Sequence, residues 1–261
     1  MTELENTQHQ TPFKILLLGD SCTDVYNIGV VDRLSPEAPV PVVKIIDSHS
    51  VAGMAANVNL NLTNLGCEVK FITNKQTITK TRFIDQRSGQ HLLRVDDHDE
   101  VEEWDKEIPE DFIPDAIVIS DYNKGFLSYW DIETIIETFN VPIFIDTKKQ
   151  NLERFDGACV KINELEYRNS TSQCSKMIVT LGSKGAMYVE GNSEMVYATN
   201  QVEVTDVCGC GDTFLAALVL QYLYTKNIEK AIIFANIAAG ITAQHRGNYA
   251  PTLKEIKYAG Y

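Results

Sequence analysis

Short apolar runs that lead directly into an aspartate recur along the chain. Three of them occupy residues 15–18, 116–120 and 143–145, and an aspartate follows each run within two residues. Continuous apolar runs of this length predict strands that are buried on both faces, as in a parallel sheet covered by helices. Because ligands bind at the carboxyl ends of such strands, we expect the aspartates to lie at the edge of the sheet that carries a site.

Segments with helical spacing separate these strands. Residues 55–65 carry apolar positions closed by Gly66, and residues 132–139 have similar spacing. Two more helices, from near Asp212 and over residues 228–243, are predicted to finish the chain. Further strands are predicted at residues 69–73, 160–163 and 177–181, with a hairpin over residues 186–198. The alternation predicts an α/β fold with a mostly parallel central sheet between helices.

A proline-containing stretch interrupts this alternation. Residues 26–50 include Pro36, Pro39 and Pro41 beside apolar residues. Proline cannot donate a hydrogen bond to a central ladder, so these strands belong at an edge or in a small separate sheet. We expect a small β lid built from about residues 26–50 and 77–95.

The charge and hydropathy of the chain exclude some classes of protein. A formal net charge of -13 would repel a polyphosphate backbone, and no dense run of Lys and Arg offsets it. No apolar stretch approaches the ~18 residues that span a bilayer, and residues 1–12 are a polar tail without the features of a secretion signal. We therefore expect a cytoplasmic protein that binds neither nucleic acid nor membrane, with residues 13–261 as one domain.

Six cysteines are scattered along the chain without the CxxC pairs that tetrahedral zinc sites use. They are interpreted as reduced thiols. Cys208 and Cys210 form only a CxC, which fits small residues in a tight turn better than a redox or structural pair.

A glycine-rich turn lies just before the first of the two predicted C-terminal helices. Gly209 and Gly211 flank Cys210, and Asp212 follows in the first helical turn. Small residues let the backbone approach a ligand, and amides at a helix N-terminus point at a bound anion such as phosphate. Asp212 is either a capping carboxylate or a general base, and spacing alone does not separate the two. Phosphoryl transfer favours the base, because that reaction needs anion donors and a carboxylate near the attacking hydroxyl.

The spacing Asp206-x-x-Gly-x-Gly-Asp212 resembles the C-terminal signature of the ribokinase/PfkB carbohydrate kinases. That resemblance implies a ribokinase-like three-layer αβα sandwich and an enzyme that transfers the γ-phosphoryl group of ATP to a sugar hydroxyl. It also implies that Gly209, Cys210 and Gly211 form an anion hole and that Asp212 is the catalytic base. Cys210 replaces the usual alanine, a small change that should preserve the turn.

Nucleotide-binding motifs of the same family follow in the expected order. Asn163 and Glu166 resemble its NxxE motif, in which the glutamate organises Mg²⁺ through water; Asn163 also has the place of a helix N-cap. Residues 179–185 resemble the VTxGxxG turn that approaches the nucleotide. The cofactors implied are ATP and Mg²⁺, and the cofactor-binding residues implied are Asn163, Glu166, Lys148, Thr180, Gly182, Gly185 and Asn236.

The N-terminal part resembles the sugar-binding motifs of the family. Residues 19–24 resemble its GDxxxD opening, with Asp24 on the sugar hydroxyls. Gly53 and Asn57 lie in a segment similar to the glycine-alanine-asparagine signature that closes on the sugar. A second glycine is common there in the family, whereas Ala52 and Met54 flank Gly53 here.

Several segments are more specifically similar to the kinase half of the bifunctional ADP-heptose synthases, namely residues 33–42, 77–82, 92–96 and 120–125. This likeness implies transfer to the anomeric hydroxyl of D-glycero-β-D-manno-heptose 7-phosphate, a sugar phosphate that needs local cations. Such cations also fit solvated surface positions. The substrate-binding residues implied are Asp24, Gly53, Asn57, Lys80, Arg82, Asp121 and Lys124.

Two departures from that subgroup have consequences. Residues 74–76 connect segments that a helix and a strand normally separate, so either the sheet lacks an edge strand or the protein is a compact variant. The resemblance also stops short of the nucleotidyltransferase half, so the chain is expected to make a heptose bisphosphate at most.

Other functions remain open at this point. The acceptor could be another sugar, a hexose phosphate or a nucleoside, and a sugar- or nucleotide-binding protein whose catalysis has lapsed would share the fold. The presence of Asp212 with both turn glycines argues against the lapsed enzyme. We also expect a homodimer, because the exposed edge of the proline-bounded strands would be a liability in a monomer.

Overall fold

Residues 11–260 are described by the computed structural model, so most of the predicted tail of residues 1–12 lies outside the described chain. In chain order the elements are β1 (Lys14–Gly19), β2 (Ser21–Leu34), β3 (Pro41–Met54), α1 (Ala55–Asn64), β4 (Glu68–Thr73), β5 (Ile78–Asp85), β6 (His91–Asp97), β7 (Ala116–Asp121), α2 (Tyr129–Thr138), β8 (Ile143–Thr147), β9 (Cys159–Asn163), α3 (Glu164–Asn169), β10 (Lys176–Thr180), β11 (Ala186–Glu190), β12 (Ser193–Tyr197), α4 (Cys210–Thr225), α5 (Ile228–Ala243) and α6 (Leu253–Tyr258).

The central sheet has eight strands in the order β12, β11, β10, β9, β8, β7, β1 and β4. The strands from β10 to β4 run parallel, and the β11–β12 hairpin adds an antiparallel edge. This arrangement confirms the predicted mostly parallel sheet. Gly19 pairs with Ser120 and Ser120 with Asp146, so the strand ends meet at one edge of the sheet.

Helices pack on both faces of this sheet. Alternate residues of β1 point to opposite faces, as the strand period of two requires. Leu17 packs in a cluster with Phe214 of α4 and Phe234 of α5, whereas Leu16 packs in a second cluster with Ile132 of α2. The protein is therefore a three-layer αβα sandwich, which confirms the predicted fold class.

A second sheet of four strands has the order β3, β2, β5 and β6. It contains the strands predicted within residues 26–50 and 77–95. Pro36 and Pro39 lie in the connection between β2 and β3, and Pro41 begins the edge strand β3. At an edge the missing proline amide costs no internal ladder bond. Pro41 thus lies in an edge strand of a separate sheet and the other two prolines lie in a loop, so none of them interrupts a central ladder.

The chain passes from the large sheet to the small one through a short connection. β4 ends the large sheet, and residues 74–77 lead directly into β5. The Asn74 side chain holds this crossover, because its oxygen accepts from the Ser21 amide at 2.7 Å while its nitrogen donates to the Ser21 carbonyl at 3.2 Å. Among the described residues, β4 is the outermost strand at this edge of the large sheet.

The end of the chain corrects one prediction. The sequence pattern predicts that two helices finish the chain, whereas α6 follows them in the structure. α6 is six residues long, begins with a capping box between Thr252 and Glu255, and has one buried residue, Ile256. A helix with a single buried position has no periodic apolar face to detect. Among residues 11–260, no helix combines the length and the apolar character needed to cross a membrane.

Candidate active site

The glycine-rich turn forms the start of α4. Gly209 is the N-cap residue with φ of 73°, a left-handed conformation that favours glycine. A Cβ at Gly209 would lie 2.8 Å from Asn57 Nδ2, and one at Gly211 would lie 3.0 Å from Lys161 Nζ. Asp206 also stabilises the turn, because its carboxylate accepts hydrogen bonds from the backbone amides of Cys208 and Gly247. Gly209 is therefore favoured both by its backbone conformation and by the space around it, and Gly211 allows the close approach of Lys161.

Asp212 lies in the first turn of α4 with a side chain that is almost fully buried. Its Oδ2 accepts a hydrogen bond from Asn57 Nδ2 at 2.8 Å, and its Oδ1 accepts one from the Tyr122 hydroxyl at 3.1 Å. These partners belong to other elements, and the helix has no side-chain cap. The Asp212 side chain therefore does not cap α4, and its predicted role as a base stays a prediction.

Burial raises the pKa of Asp212 to about 6, and the nearby Asp146 carboxylate raises it as well. Hydrogen bonds from Asn57 and Tyr122 and the Lys161 ammonium act in the opposite direction. At neutral pH the carboxylate is mostly ionised, yet it has more affinity for a proton than an exposed aspartate. That balance suits a general base, whose pKa should lie near the working pH.

Lys161 and Asp146 form a buried ion pair that the sequence motifs did not identify. Lys161 Nζ donates to Asp146 Oδ2 at 2.7 Å, and both side chains are almost fully buried. Lys161 is a central residue of β9, and its ammonium lies beside Gly211. A lysine within the apolar strand at residues 160–163 indicates a buried ion pair, because a lysine is almost never buried without a partner.

A cavity of about 540 Å³ brings these groups together. It lies at the carboxyl edge of the large sheet, where open α/β sheets bind ligands. Its lining residues include Tyr122, Asp146, Lys148, Lys161, Asn163, Thr180, Gly182, Gly209, Gly211 and Asp212. The predicted catalytic turn and part of the predicted nucleotide site therefore face the same space.

A second cavity of about 210 Å³ lies on the other side of the glycine turn and is mainly apolar. Cys210, Gly182 and Gly185 line it, with Asn236 of α5. Asn236 donates to the Tyr197 carbonyl at 3.0 Å, so its amide also ties α5 to β12. Gly185 has φ of 96°, and a Cβ there would lie 2.1 Å from the same carbonyl.

Asn163 and Glu166 form the capping box of α3. Asn163 Oδ1 accepts from the Glu166 amide at 2.9 Å, and Glu166 Oε2 accepts from the Asn163 amide at 2.8 Å. Glu166 Oε1 also pairs with Lys148 Nζ. In the described chain no three His, Cys, Asp or Glu side chains are grouped to hold a metal directly. These residues fit a Mg²⁺ ion that takes most of its ligands from phosphates and water.

The predicted sugar-binding residues lie where the small sheet meets the large one. Asp24 Oδ1 accepts from Arg82 Nη1 at 2.5 Å, and a Cβ at Gly53 would lie 2.2 Å from Asp24 Oδ2. Lys80 is buried, with its ammonium 3.2 Å from Met54 Sδ. The structure thus brings this predicted group together, with Arg82 paired and Lys80 without a carboxylate partner among residues 11–260.

Two further predicted substrate residues are already engaged. Asp121 is 1% exposed, and its carboxylate accepts from Thr147 at 2.6 Å and pairs with Lys149 at 3.1 Å. These contacts hold the Asp121 carboxylate at the end of β7, and its predicted contact with substrate stays a prediction. Lys124 pairs with Asp99, so a substrate phosphate would have to compete for it.

The chain is similar in sequence to known carbohydrate kinases and to bifunctional proteins of bacteria. Residues 149–255 match the pfkB family carbohydrate kinases. The protein named Bifunctional protein HldE from a Nitratiruptor species is 33% identical over 94% of this chain, and its counterpart from Helicobacter acinonychis is 31% identical over 93%. The chain spans 64% and 65% of the length of these two relatives.

Solved structures share the fold at low sequence identity. Ribokinase from Thermotoga maritima superposes with a TM-score of 0.72 at 17% identity, covering 95% of this chain and 99% of that one. Arabidopsis thaliana ribokinase, solved with ribose and ATP, gives 0.73 at 15% identity, covering 96% and 100%. Residues 149–255 therefore match the pfkB family carbohydrate kinases, and the chain as a whole has a ribokinase-like fold.

Proposed function

We propose that the chain is an ATP-dependent sugar kinase in which Asp212 is the general base. The observation that carries the proposal is the position of the Asp212 carboxylate. It is buried, faces a cavity of about 540 Å³, and directly follows the glycine turn at the start of α4. Anion donors and a carboxylate therefore lie side by side, as in-line phosphoryl transfer requires.

The reaction would proceed by direct displacement. The acceptor hydroxyl oxygen attacks the γ-phosphorus, the bond from that phosphorus to the β,γ-bridging oxygen breaks, and ADP leaves. Asp212 takes the hydroxyl proton. The backbone of Gly209, Cys210 and Gly211 would stabilise the charge on the moving phosphoryl group, helped by the dipole of α4 and the Lys161 ammonium.

The nucleotide would occupy the two cavities on either side of the glycine turn. The apolar cavity suits a nucleobase, and the larger one, lined by Lys148 and Lys161, suits the phosphates. Ribokinase from Arabidopsis thaliana bound to ATP supports the use of a nucleotide by this fold. Bound Mg²⁺ would neutralise phosphate charge. Glu166, whose carboxylate pairs with Lys148 in this structure, would hold the ion through water.

For the acceptor, we propose a heptose 7-phosphate phosphorylated at the anomeric hydroxyl. Relatives named HldE, at 30–33% identity, support this choice. The site itself supports a phosphorylated sugar, because Lys80 is a buried cation without a carboxylate partner in the described chain. The small sheet would form a lid over the sugar near Asp24, Gly53 and Asn57.

A panel of free and phosphorylated sugars and nucleosides, assayed by coupled ADP release, tests the proposal. Heptose 7-phosphate should give the highest kcat/KM, and each product should carry one additional phosphate. Turnover of a different acceptor with at least tenfold higher kcat/KM would replace the substrate and keep the kinase. ATP binding without turnover of any acceptor would favour the lapsed enzyme.

A further inference from the structure

The Asp212 carboxylate is held at both of its oxygens by side chains from separate parts of the fold. Asn57 of α1 donates to Oδ2, and Tyr122, in the turn after β7, donates to Oδ1. A single donor would leave the carboxylate free to rotate about its Cβ–Cγ bond. Two donors on different oxygens fix its plane, and the hydroxyl of Tyr122 supplies the second of them.

Tyr122 is itself firmly positioned. Its backbone amide donates to Asp20 Oδ2 at 2.7 Å, and Asp20 is 1% exposed. Its ring packs beside Cys22, Met54 and Ile78 of the small-sheet side. Burial and the neighbouring Asp212 carboxylate raise the pKa of Tyr122, so the phenol keeps its proton and remains a donor.

Two lysine side chains lie close to the Tyr122 ring. Lys80 Nζ lies 5.7 Å from the ring centroid and Lys148 Nζ lies 5.3 Å from it. Lys80 belongs to the proposed sugar side and Lys148 to the proposed nucleotide side. The ring therefore neighbours a residue of each proposed binding side, while its hydroxyl donates to Asp212.

From this geometry, and resting on the function proposed above, we propose that Tyr122 is a positioning residue that holds the Asp212 carboxylate in its reactive orientation. Asp20 contributes indirectly, because its carboxylate fixes the backbone of the turn that contains Tyr122. In the sequence, Tyr122 is only the residue that follows Asp121 at the end of β7, and nothing there indicates its contact with Asp212. No spacing rule connects that position with Asp212, ninety residues further along the chain.

The sign of the expected pH effect follows from the hydrogen bond. A phenol donor stabilises ionised Asp212, so its loss raises the pKa of Asp212 further above about 6. Because the base must be ionised, the acid limb of kcat then moves to higher pH. Other titratable groups that face Asp212 stay unchanged in the variant; they are Cys22, Asp146, Lys148, Lys161 and Cys210.

The test compares Tyr122→Phe with Tyr249→Phe. The second variant loses a phenol–carboxylate hydrogen bond of the same kind, to Glu255, outside the cavity. We expect the acid limb of kcat to move up by about one pH unit in Tyr122→Phe and to stay in place in Tyr249→Phe. At about pH 5, kcat expressed as a fraction of its own plateau should then be about tenfold lower in Tyr122→Phe than in the parent. An equal loss at every pH, with an unmoved limb, would overturn the proposal.

A measurement on the unaltered protein covers the case in which Tyr122→Phe does not fold. With ¹³C placed at Cζ of Tyr122 alone, the resonance should titrate with a midpoint near pH 6, as its acceptor gains a proton. A resonance that stays flat between pH 4.5 and 7.5, about 1.5 units either side of that midpoint, contradicts the contact. This readout needs no acceptor sugar, so a failed kinase assay and a failed Tyr122 proposal are distinguishable.

Discussion

At the scale of single residues, two cations of the site form ion pairs with carboxylates, whereas Lys80 forms none among residues 11–260. Arg82 pairs with Asp24 and Lys161 with Asp146, whereas the ammonium of Lys80 contacts the sulfur of Met54. A buried charge without a counter-ion is costly. An anionic group on the substrate would provide the counter-ion. Among the cations predicted from the sequence, Lys80 is therefore our candidate for binding a substrate phosphate.

Replacing Lys80 with alanine should therefore remove most of the preference for a phosphorylated acceptor. A charge-assisted hydrogen bond contributes about 1.5 to 3 kcal/mol, so kcat/KM for the sugar phosphate should fall at least about tenfold. The value for the free sugar should change little. Lys75→Ala, which removes an exposed lysine paired with Asp105, is the matched control. Equal kcat/KM on free and phosphorylated heptose by the parent protein would refute the sugar-phosphate assignment.

At the scale of elements, the start of α4 depends on the absence of a side chain at Gly209. A methyl group there would meet Asn57 Nδ2 at 2.8 Å, and the residue also has positive φ. Asn57 is the donor to Asp212, so the clash would be transmitted to the base as well as to the anion hole.

Gly209→Ala should consequently lower kcat by about two orders of magnitude or more, since anion-hole donors and the base are disturbed together. Gly66→Ala is a suitable control, because Gly66 also has positive φ, at 89°, but a Cβ there meets nothing within 4 Å. Both variants should lose about 1 kcal/mol of stability from backbone strain. If kinetic assays find equal kcat in the two variants, the close approach of Asn57 to Gly209 does not contribute to catalysis.

The elements themselves were largely predictable, and the contacts between them were not. Continuous apolar runs identified β1, β7 and β8, because a strand buried on both faces needs apolar residues on both. The Lys161–Asp146 pair escaped notice because it depends on β8 and β9 being neighbours with Asp146 opposite Lys161. Sequence separation carries no information about that register.

The same limit applies to the candidate site. The motifs predict that the glycine turn and Asn163 belong to one site, and both line the larger cavity in the structure. The motifs also predict Asp121 as a substrate contact, but its carboxylate is committed to Thr147 and Lys149 at the adjoining strand end. A polar side chain at the end of a strand can bond to the neighbouring strand ends or contact a ligand. Which of the two it does depends on the residues packed around it.

At the scale of the whole molecule, the small sheet presents an apolar surface and a long open edge. β3 is an edge strand of fourteen residues. Large apolar side chains exposed on this sheet include Leu34, Ile45, Ile46, Leu93 and Val95. Long exposed edges of this kind invite pairing with another chain. A two-fold dimer that pairs or packs the small sheets remains our proposal for this surface.

Light scattering should accordingly give about twice the 29.2 kDa chain mass at working concentration. Ile45→Lys should shift the protein towards the monomer, because it places a charge in the proposed interface. Ile113→Lys changes an isoleucine that is 78% exposed outside the small sheet and should leave the mass unchanged. A monomeric parent protein would refute the dimer without affecting the proposed catalytic site.

The most direct test of the central proposal is the turnover of Asp212→Asn with ATP and heptose 7-phosphate. The amide keeps the shape of the side chain but cannot accept the hydroxyl proton. We predict a kcat at least about two orders of magnitude below that of the parent, with the melting temperature and the ATP dissociation constant unchanged. Near-normal turnover by the folded variant would contradict the account and leave Asp212 as a structural carboxylate.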